Sequence, residues 1–160
     1  MSAAPALAES AGGVEWNAPP GWKAQPQRPM RAATYAVPAA PGDKEDGECA
    51  VFYFGPGQGG GVEANLQRWI SQFETTAKPQ TAKKTIGGLA VTTIDLSGTY
   101  LASAGPMAPT KTSKPGYRLW GGIVEGPQGA VFFKFTGPAK TVAGNQAAFD
   151  KMLASVRSGR

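Results

Sequence analysis

The pattern of apolar and polar positions predicts a sheet with one strand buried on both faces. In residues 49–54, Val51 and Tyr53 fall on one face, and Ala50, Phe52 and Phe54 fall on the other. Since alternate residues of a strand point to opposite faces, such a segment is typical of a central strand that is covered on both sides. We therefore expect helices to pack on the sheet.

Five further segments have strand patterns and are separated by turn-forming residues. They are residues 14–16, 31–37, 89–100, 117–125 and 131–136. The last two are joined by Glu-Gly-Pro-Gln-Gly at 125–129, a tight reversal that predicts a β-hairpin. Because strands follow one another instead of alternating with helices, we predict a mainly antiparallel sheet.

Two amphipathic segments predict the helices that cover this sheet. The first begins at Val62 and carries Glu63 in its first turn, where the helix dipole favours a negative charge. The second covers residues 142–157, with Thr141 as its N-cap. Their apolar stripes are Val62, Leu66, Trp69, Ile70 and Phe73 in the first helix, and Phe149, Met152, Leu153 and Val156 in the second.

These elements predict an α+β fold, namely an α/β/α sandwich with a central antiparallel sheet of about six strands flanked by two main helices. The chain has 160 residues, of which 41% are hydrophobic, and is long enough for one sizeable core. We assign residues 14–160 to a single domain. Residues 1–13 are predicted to be a disordered tail or a linker that follows an export signal.

The charge is uneven but not clustered. The net charge is +5, and residues 62–160 hold twelve basic and five acidic side chains. Because the basic residues are scattered and form no long run, we do not expect the protein to bind nucleic acid. The chain has one cysteine and no histidine, which excludes an intrachain disulfide and leaves no usual zinc-ligand set. We predict no metal and no cofactor.

The N-terminal segment indicates export. It has no basic region and no apolar run of membrane-spanning length, but Ala6-Leu7-Ala8 has the A-x-A form of a cleavage site. We expect an exported, periplasmic or outer-surface protein whose full-length precursor carries a signal or a lipid anchor. The alternative is the Ala-rich tail of a cytosolic protein.

Both ends of the patterned region resemble PsbP/Mog1-like domains. Pro20-Gly21-Trp22 after a short strand is similar to their opening, and the segment Phe149-Asp150-Lys151-Met152-Leu153-Ala154-Ser155-Val156 is similar to their terminal helix. The resemblance covers residues 14–157 and implies the sandwich fold and a non-enzymatic accessory or binding role, in an uncharacterised bacterial branch. The metal-binding histidines of some members have no counterpart here, and neither has the acidic surface that contacts Ran.

A glycine-rich segment precedes the first helix. Gly55, Gly57 and Gly60 match G-x-G-x-x-G, but Pro56 removes a donor amide, and no acidic residue follows at the spacing that dinucleotide binding needs. A generic anion at the helix start, held by Gly60, Gly61 and Val62, is the stronger hypothesis. The structural alternative is a flexible connection between strand and helix.

No recognisable catalytic group is found in the sequence. Cys49 has no histidine to activate it and begins a strand that we predict to be buried, where a thiol behaves as a small hydrophobic group. Nothing in the pattern brings carboxylates together for acid–base work, and the acidic segment 43–48 lacks the spacing of a calcium loop. We therefore predict no catalytic, cofactor-binding or metal-binding residues.

The segment 102–116 is predicted to be a long loop between two strands, and such loops are often functional. Lys111, Lys114, Arg118 and Trp120 lie on it or follow it, and we predict that they form a ligand or partner surface. The alternative is a solvated, passive loop. We expect a non-enzymatic exported accessory or binding protein for an unknown protein partner or small ligand. The alternatives are a hydrolase-like enzyme and a structural envelope interaction protein.

Overall fold

The computed structural model describes residues 8–26, 31–74, 78–103 and 111–159. Within these ranges it contains three helices and eleven strands. In chain order they are β1 (Ala8–Ala11), β2 (Val14–Asn17), β3 (Lys23–Ala24), β4 (Arg31–Val37), β5 (Gly47–Phe52), α1 (Val62–Ser71), β6 (Phe73–Glu74), β7 (Gln80–Ile86), β8 (Leu89–Ser103), β9 (Lys111–Gly126), β10 (Gly129–Pro138), α2 (Ala139–Gly144), α3 (Gln146–Ala154) and β11 (Arg157–Ser158).

Two antiparallel sheets organise the described residues. The main sheet has the order β3-β4-β5-β10-β9-β8-β6, and β7 pairs with another part of β8. A small sheet has the order β1-β2-β11. The turn between Gly126 and Gly129 closes the β9–β10 hairpin, so the predicted hairpin and the mainly antiparallel sheet are confirmed.

The central position of β5 is also confirmed. This strand lies between β4 and β10, and Val51 and Cys49 are fully buried on one of its faces. On the other face Phe52 lies opposite Phe132 of β10. The run of apolar residues therefore marks the strand that the rest of the fold covers on both sides.

Different elements pack on the two faces of the main sheet. We call the face of Phe52 and Phe132 the α1 face, because Leu66 and Trp69 of α1 pack there in one apolar cluster. The opposite face, which we call the α3 face, holds a larger cluster. That cluster combines sheet residues with residues of α2, α3 and the small sheet, among them Val14, Trp16, Phe133, Phe135, Val142, Phe149 and Leu153.

The strand count differs from the prediction of about six. The described residues give eight strands in the main sheet and three in the small one. Strand β7 was missed because its residues from Gln80 to Thr85 are all exposed, so the sequence lacks the alternation that marks a half-buried strand. Strand β1 lies inside the segment predicted to be a tail or linker, and it pairs with β2 from Ala8 to Ala11.

In place of the single helix predicted at 142–157, the structure has two helices that end at Ala154, and Arg157 belongs to strand β11. Helix α2 ends at Gly144 and α3 begins at Gln146, with Asn145 between them at φ −111° and ψ 7°. Glycine and asparagine are poor helix formers, which explains the break. Thr141 is not an N-cap. It is a buried residue of α2 whose hydroxyl donates to Asp43 Oδ2 at 2.6 Å. The predicted pair of main helices is therefore corrected to three.

The described residues of the predicted loop at 102–116 belong to strands. Strand β8 continues to Ser103, β9 begins at Lys111, and Tyr100 pairs with Lys114 beyond an irregularity in the register. Residues 104–110 lie outside the described residues. The end of β8 and the beginning of β9 were not predicted because they have few apolar side chains. Backbone pairing between the two strands holds them together. None of the helices in the described part of the chain is long and apolar enough to cross a membrane.

Candidate functional site

Helix α1 covers only part of the α1 face, and a cavity lies beside it. The register places Phe52 opposite Phe132, and the ring of Phe54 lies 6.0 Å from that of Phe52 and 5.8 Å from that of Phe132. The cavity has a volume of about 170 Å³ and is lined by Phe52, Phe54, Asn65, Arg68, Trp69, Gln72, Phe132 and Lys134. We call it the aromatic cavity.

A glycine in β9 sets the distance between α1 and the sheet. A Cβ atom on Gly121 would lie 2.5 Å from Cζ3 of Trp69, closer than any side chain tolerates. Because Gly121 has no side chain, the indole of Trp69 lies directly against the strand. This contact places the residues of α1 that line the aromatic cavity.

Lys134 is the charged residue that the sheet contributes to the lining of the aromatic cavity. Its ammonium donates hydrogen bonds to Gln72 Oε1 at 2.6 Å and to the Tyr100 hydroxyl at 3.1 Å. The surroundings lower the pKa of Lys134 from 10.5 to about 8. Desolvation is the largest cause, the positive charge of Arg31 acts in the same direction, and the negative charge of Glu48 opposes them. Among the described residues, no carboxylate forms an ion pair with Lys134.

A second cavity, of about 320 Å³, lies on the other side of Tyr100. It is lined by Arg31, Asp46, Glu48, Tyr100, Ala102, Lys114, Tyr117 and Thr136. We call it the polar cavity. The ammonium of Lys114 forms an ion pair with Glu45, and the Tyr117 hydroxyl donates to Glu45 Oε1 at 3.0 Å. These two hydrogen bonds lower the pKa of Glu45.

The chemistry of the polar cavity is that of fixed charges. Arg31 and Glu48 form an ion pair at 3.1 Å, and Glu45 is held ionised by its partners. Burial and the hydrogen bond to Glu45 raise the pKa of Tyr117, so this phenol stays protonated at neutral pH. In the ranges that the structure describes, no group of three or more residues is arranged to hold a metal ion.

The predicted ligand or partner surface is divided between the two faces of the main sheet. Lys111 is the first residue of β9 and pairs with Ser103. The ammonium of Lys114 lies 5.6 Å from the Tyr117 ring centroid, on the α1 face. Arg118 and Trp120 follow on the α3 face, since neighbouring strand residues alternate.

The Arg118–Trp120 pair is occupied by contacts within the protein. Arg118 donates to both oxygens of Asp95 at 2.7 Å, and its guanidinium lies 5.5 Å from the Trp120 ring centroid. The Trp120 indole donates to Asp150 Oδ1 at 2.9 Å. A partner surface that includes these residues and Lys114 stays a prediction, and it would have to reach both faces.

The predicted anion site lies at the start of α1. Gly61 is the N-cap residue, Val62 is the first helical residue, and Gly60 has a φ of +82°. The side-chain amide of Asn65 donates to Gly59 O at 2.7 Å and to Gly61 O at 2.8 Å. Asn65 therefore fixes the glycine segment against the helix. This supports its role as a shaped connection, and anion binding there stays a prediction.

Sequence reasoning missed Lys134, Tyr100, Arg68 and Gln72 as a group. One signal was present, because Lys134 interrupts the apolar run from Val131 to Phe135. A charged residue within a strand that is buried on both faces is unusual and needs partners. Those partners come from α1 and β8, which only the folded chain brings together.

The comparisons with known proteins identify the fold. No protein-family model matches the chain, and no curated protein matches it by sequence. The chain is similar to the solution structure of cyanobacterial PsbP (CyanoP) from Synechocystis sp. PCC 6803. The TM-score is 0.61 at 10% sequence identity, over 99% of this chain and 95% of that one.

A second similar structure is a protein of unknown function from Pseudomonas aeruginosa, named as a candidate regulator. Its TM-score is 0.54 at 11% identity, over 94% of this chain and 95% of that one. The chain therefore has a PsbP-like fold, which confirms the resemblance that its two ends predicted. At these identities the likeness concerns the fold alone.

Proposed function

We propose that this protein is a non-enzymatic accessory protein that works by binding a small ligand in the aromatic cavity on the α1 face. The observation that carries the proposal is the aromatic cavity with Lys134 on its floor. Its aromatic walls can bury an apolar group, and its few polar groups can orient a ligand. This combination is typical of small-molecule binding sites.

The fold supports an accessory role. The chain is similar over nearly its whole length to cyanobacterial PsbP, and the resemblance of its ends is to a family of accessory and binding proteins. The polar cavity also favours binding over catalysis, because Arg31, Glu48 and Lys114 of its lining are held in ion pairs. Groups fixed in this way can place a charged ligand.

Export is part of the proposal, supported by the A-x-A form of Ala6-Leu7-Ala8. The test is to express the full-length gene in its own host and to locate the protein by fractionation, with cytosolic and envelope marker proteins as controls. Recovery with the periplasmic or membrane fraction is expected. Recovery with the cytosolic marker would contradict export.

A hydrolase-like enzyme is the second candidate, and Lys134 is the observation that favours it. An amine with a pKa of about 8 is partly unprotonated at neutral pH, and unprotonated lysines can act as nucleophiles. Among the described residues, no carboxylate forms an ion pair with Lys134 and could serve as its base. Its neighbours are the side-chain oxygen of Gln72 and a phenol.

The experiment that separates binding from catalysis measures both on the same compounds. A collection of small anions, cations and neutral molecules is screened for a saturable rise in melting temperature. Each binder is then incubated with the protein and followed by NMR. We expect ligands that stabilise the protein and are recovered unchanged. Conversion of a ligand would overturn the non-enzymatic assignment, and the absence of any binder that is sensitive to changes in the cavity would overturn the binding site.

A further inference from the structure

We propose that the aromatic cavity binds an organic monocarboxylate with a flat apolar body, and that Lys134 and Arg68 hold its carboxylate group. This inference rests on the proposed binding function and adds the chemical class of the ligand. Lys134 lies on the sheet and Arg68 on α1, so the two cations approach the cavity from its two walls. The rings of Phe52, Phe54 and Phe132 supply the apolar surface.

The charges that line the aromatic cavity are complementary to a carboxylate. The residues that line the aromatic cavity include two cations and no acidic side chain. Lys134 donates only to neutral oxygens, those of Gln72 and Tyr100, and an ammonium has three donors. Within the described ranges the guanidinium of Arg68 has no hydrogen-bond or ion-pair partner. A bound carboxylate would provide both cations with a direct ion-pair partner, which no carboxylate of the described residues does.

The relative position of the two cations suits one shared anion. Arg68 belongs to α1, and Gln72, four residues later, is its C-cap with helical dihedral angles, so the two lie about one turn apart on the same side of the helix. The side chain of Gln72 accepts a hydrogen bond from Lys134 at 2.6 Å. The guanidinium therefore lies on the helix face that meets Lys134. An anion between them would receive charged hydrogen bonds from two directions, and such bonds are stronger than neutral ones.

The aromatic cavity also has room for the apolar part of the ligand. The aromatic cavity has a volume of about 170 Å³, which suits a small ligand rather than a drug-sized one. Trp69 is only 5% exposed and Phe132 only 2%, so the walls are held in place before a ligand arrives. Next to it lies a cavity of about 350 Å³ that also has Phe54 and Arg68 in its lining. This neighbouring space gives the ligand an opening to solvent.

The electrostatic surroundings favour a single negative charge. Lys134 interacts with the charges of Arg31 and Glu48, and Arg31 forms an ion pair with Glu48. Burial raises the pKa of Tyr100, so this neighbour stays neutral at physiological pH. The negative charge of Glu48 opposes any bound anion, and it opposes a dianion more strongly than a monoanion. A monocarboxylate therefore fits the site better than a phosphate dianion.

Isothermal titration calorimetry with 1-naphthoate and its neutral analogue 1-naphthamide tests the inference. At pH 7 we expect the wild type to bind naphthoate at least about tenfold more tightly than naphthamide, which corresponds to about 1.4 kcal/mol. Lys134→Met should remove this preference, and Lys134→Arg, which keeps the charge, should retain most of it. Arg68→Gln should weaken naphthoate binding by about threefold to tenfold, a typical loss for one charged hydrogen bond near the surface. Lys84→Met, on the exposed strand β7, is the matched control and should bind as the wild type does.

The dependence on pH provides a second measurement. Because the carboxylate needs a protonated Lys134, naphthoate affinity should fall between pH 7 and pH 9, while naphthamide affinity should stay constant. Circular dichroism confirms that each variant is folded. Equal affinity for the two probes, or an unchanged preference in Lys134→Met, would overturn the inference.

The two levels of the proposal can fail separately. If naphthoate does not bind, but another class of compound binds in the same cavity and is recovered unchanged, the carboxylate inference fails and the binding function stands. If a bound carboxylate is converted to a product, the non-enzymatic function fails while the ligand class stands. NMR chemical-shift changes at Trp69 identify binding in the cavity in either case.

Discussion

The lowered pKa of Lys134 makes the stability of this protein depend on pH in the alkaline range. In the folded chain the pKa is about 8, against an ordinary value of 10.5. Between these values the unfolded chain binds a proton that the folded chain has released. Stability therefore rises with pH across this window. Below pH 8 Lys134 is protonated in both the folded and the unfolded chain, and folding carries the full free-energy cost of placing its charge in the aromatic cavity.

The magnitude follows from the two pKa values. At about 1.4 kcal/mol for each pH unit, the penalty at pH 7 is about 3 kcal/mol, and most of it disappears by pH 10. Lys134→Met removes this charge together with two hydrogen bonds, to Gln72 and Tyr100, each worth about 1 kcal/mol. We therefore expect the variant to be the more stable protein at pH 7. Its advantage over the wild type should decrease by about 2–3 kcal/mol on going to pH 10.

Urea denaturation followed by tryptophan fluorescence at pH 7, 8, 9 and 10 measures this difference. Subtracting the wild-type free energy of unfolding from that of Lys134→Met at each pH cancels the titration of other groups, including Cys49 and the tyrosines. Lys84→Met provides the control, because Lys84 is exposed, and its difference should not change with pH. A difference for Lys134→Met that stays constant from pH 7 to pH 10 would refute the reasoning.

Two pairs of substitutions and one labelling experiment test other parts of the fold. Gly121→Ala should lower the free energy of unfolding by about 1–3 kcal/mol, because its Cβ would overlap the indole of α1. Gly144→Ala, which has open space around it, should have no effect or stabilise by less than about 1 kcal/mol, and equal effects in urea denaturation would contradict this account. Asp95→Asn breaks a bidentate pair at 2.7 Å and should cost about 1–3 kcal/mol. Glu15→Gln, in a more exposed pair at 3.3 Å, should cost less than about 1 kcal/mol. The thiol of Cys49 is fully buried, and burial raises its pKa, so Ellman's reagent at pH 8 should label it only as the protein unfolds. Complete labelling of the native protein within seconds would show that the strand is accessible.

The sequence alone determined the elements whose side chains alternate clearly between buried and exposed positions. The apolar run at 49–54 identified the strand that both faces cover, and the stripe containing Leu66 and Trp69 identified α1. The β9–β10 hairpin followed from its turn residues at 125–129. The segments at Pro20-Gly21-Trp22 and at the end of α3 were enough to predict the PsbP-like fold. These signals are local, because each apolar pattern and each set of turn residues is contained in a short segment of the chain.

Only the tertiary structure revealed β7 and the break between α2 and α3. Strand β7 has almost no buried side chain, and it is held by backbone pairing with β8. Backbone pairing does not require particular side chains, so it gives no pattern in the sequence. The break at Asn145 has a local cause in the low helix propensity of Gly144 and Asn145, which did not by itself predict where α2 ends. The tertiary structure also shows that the Thr141 hydroxyl bonds to Asp43, 98 residues away.

The binding site also depended on the tertiary structure. The sequence showed that Lys134 interrupts an apolar strand, but not which side chains surround it. Gln72 lies 62 positions away and Tyr100 lies 34 positions away. The register of β8, β9 and β10 and the close approach of α1 at Gly121 bring these residues together. The sequence determines which residues need burial or a partner, while the partner itself is chosen by long-range packing, which no local pattern contains.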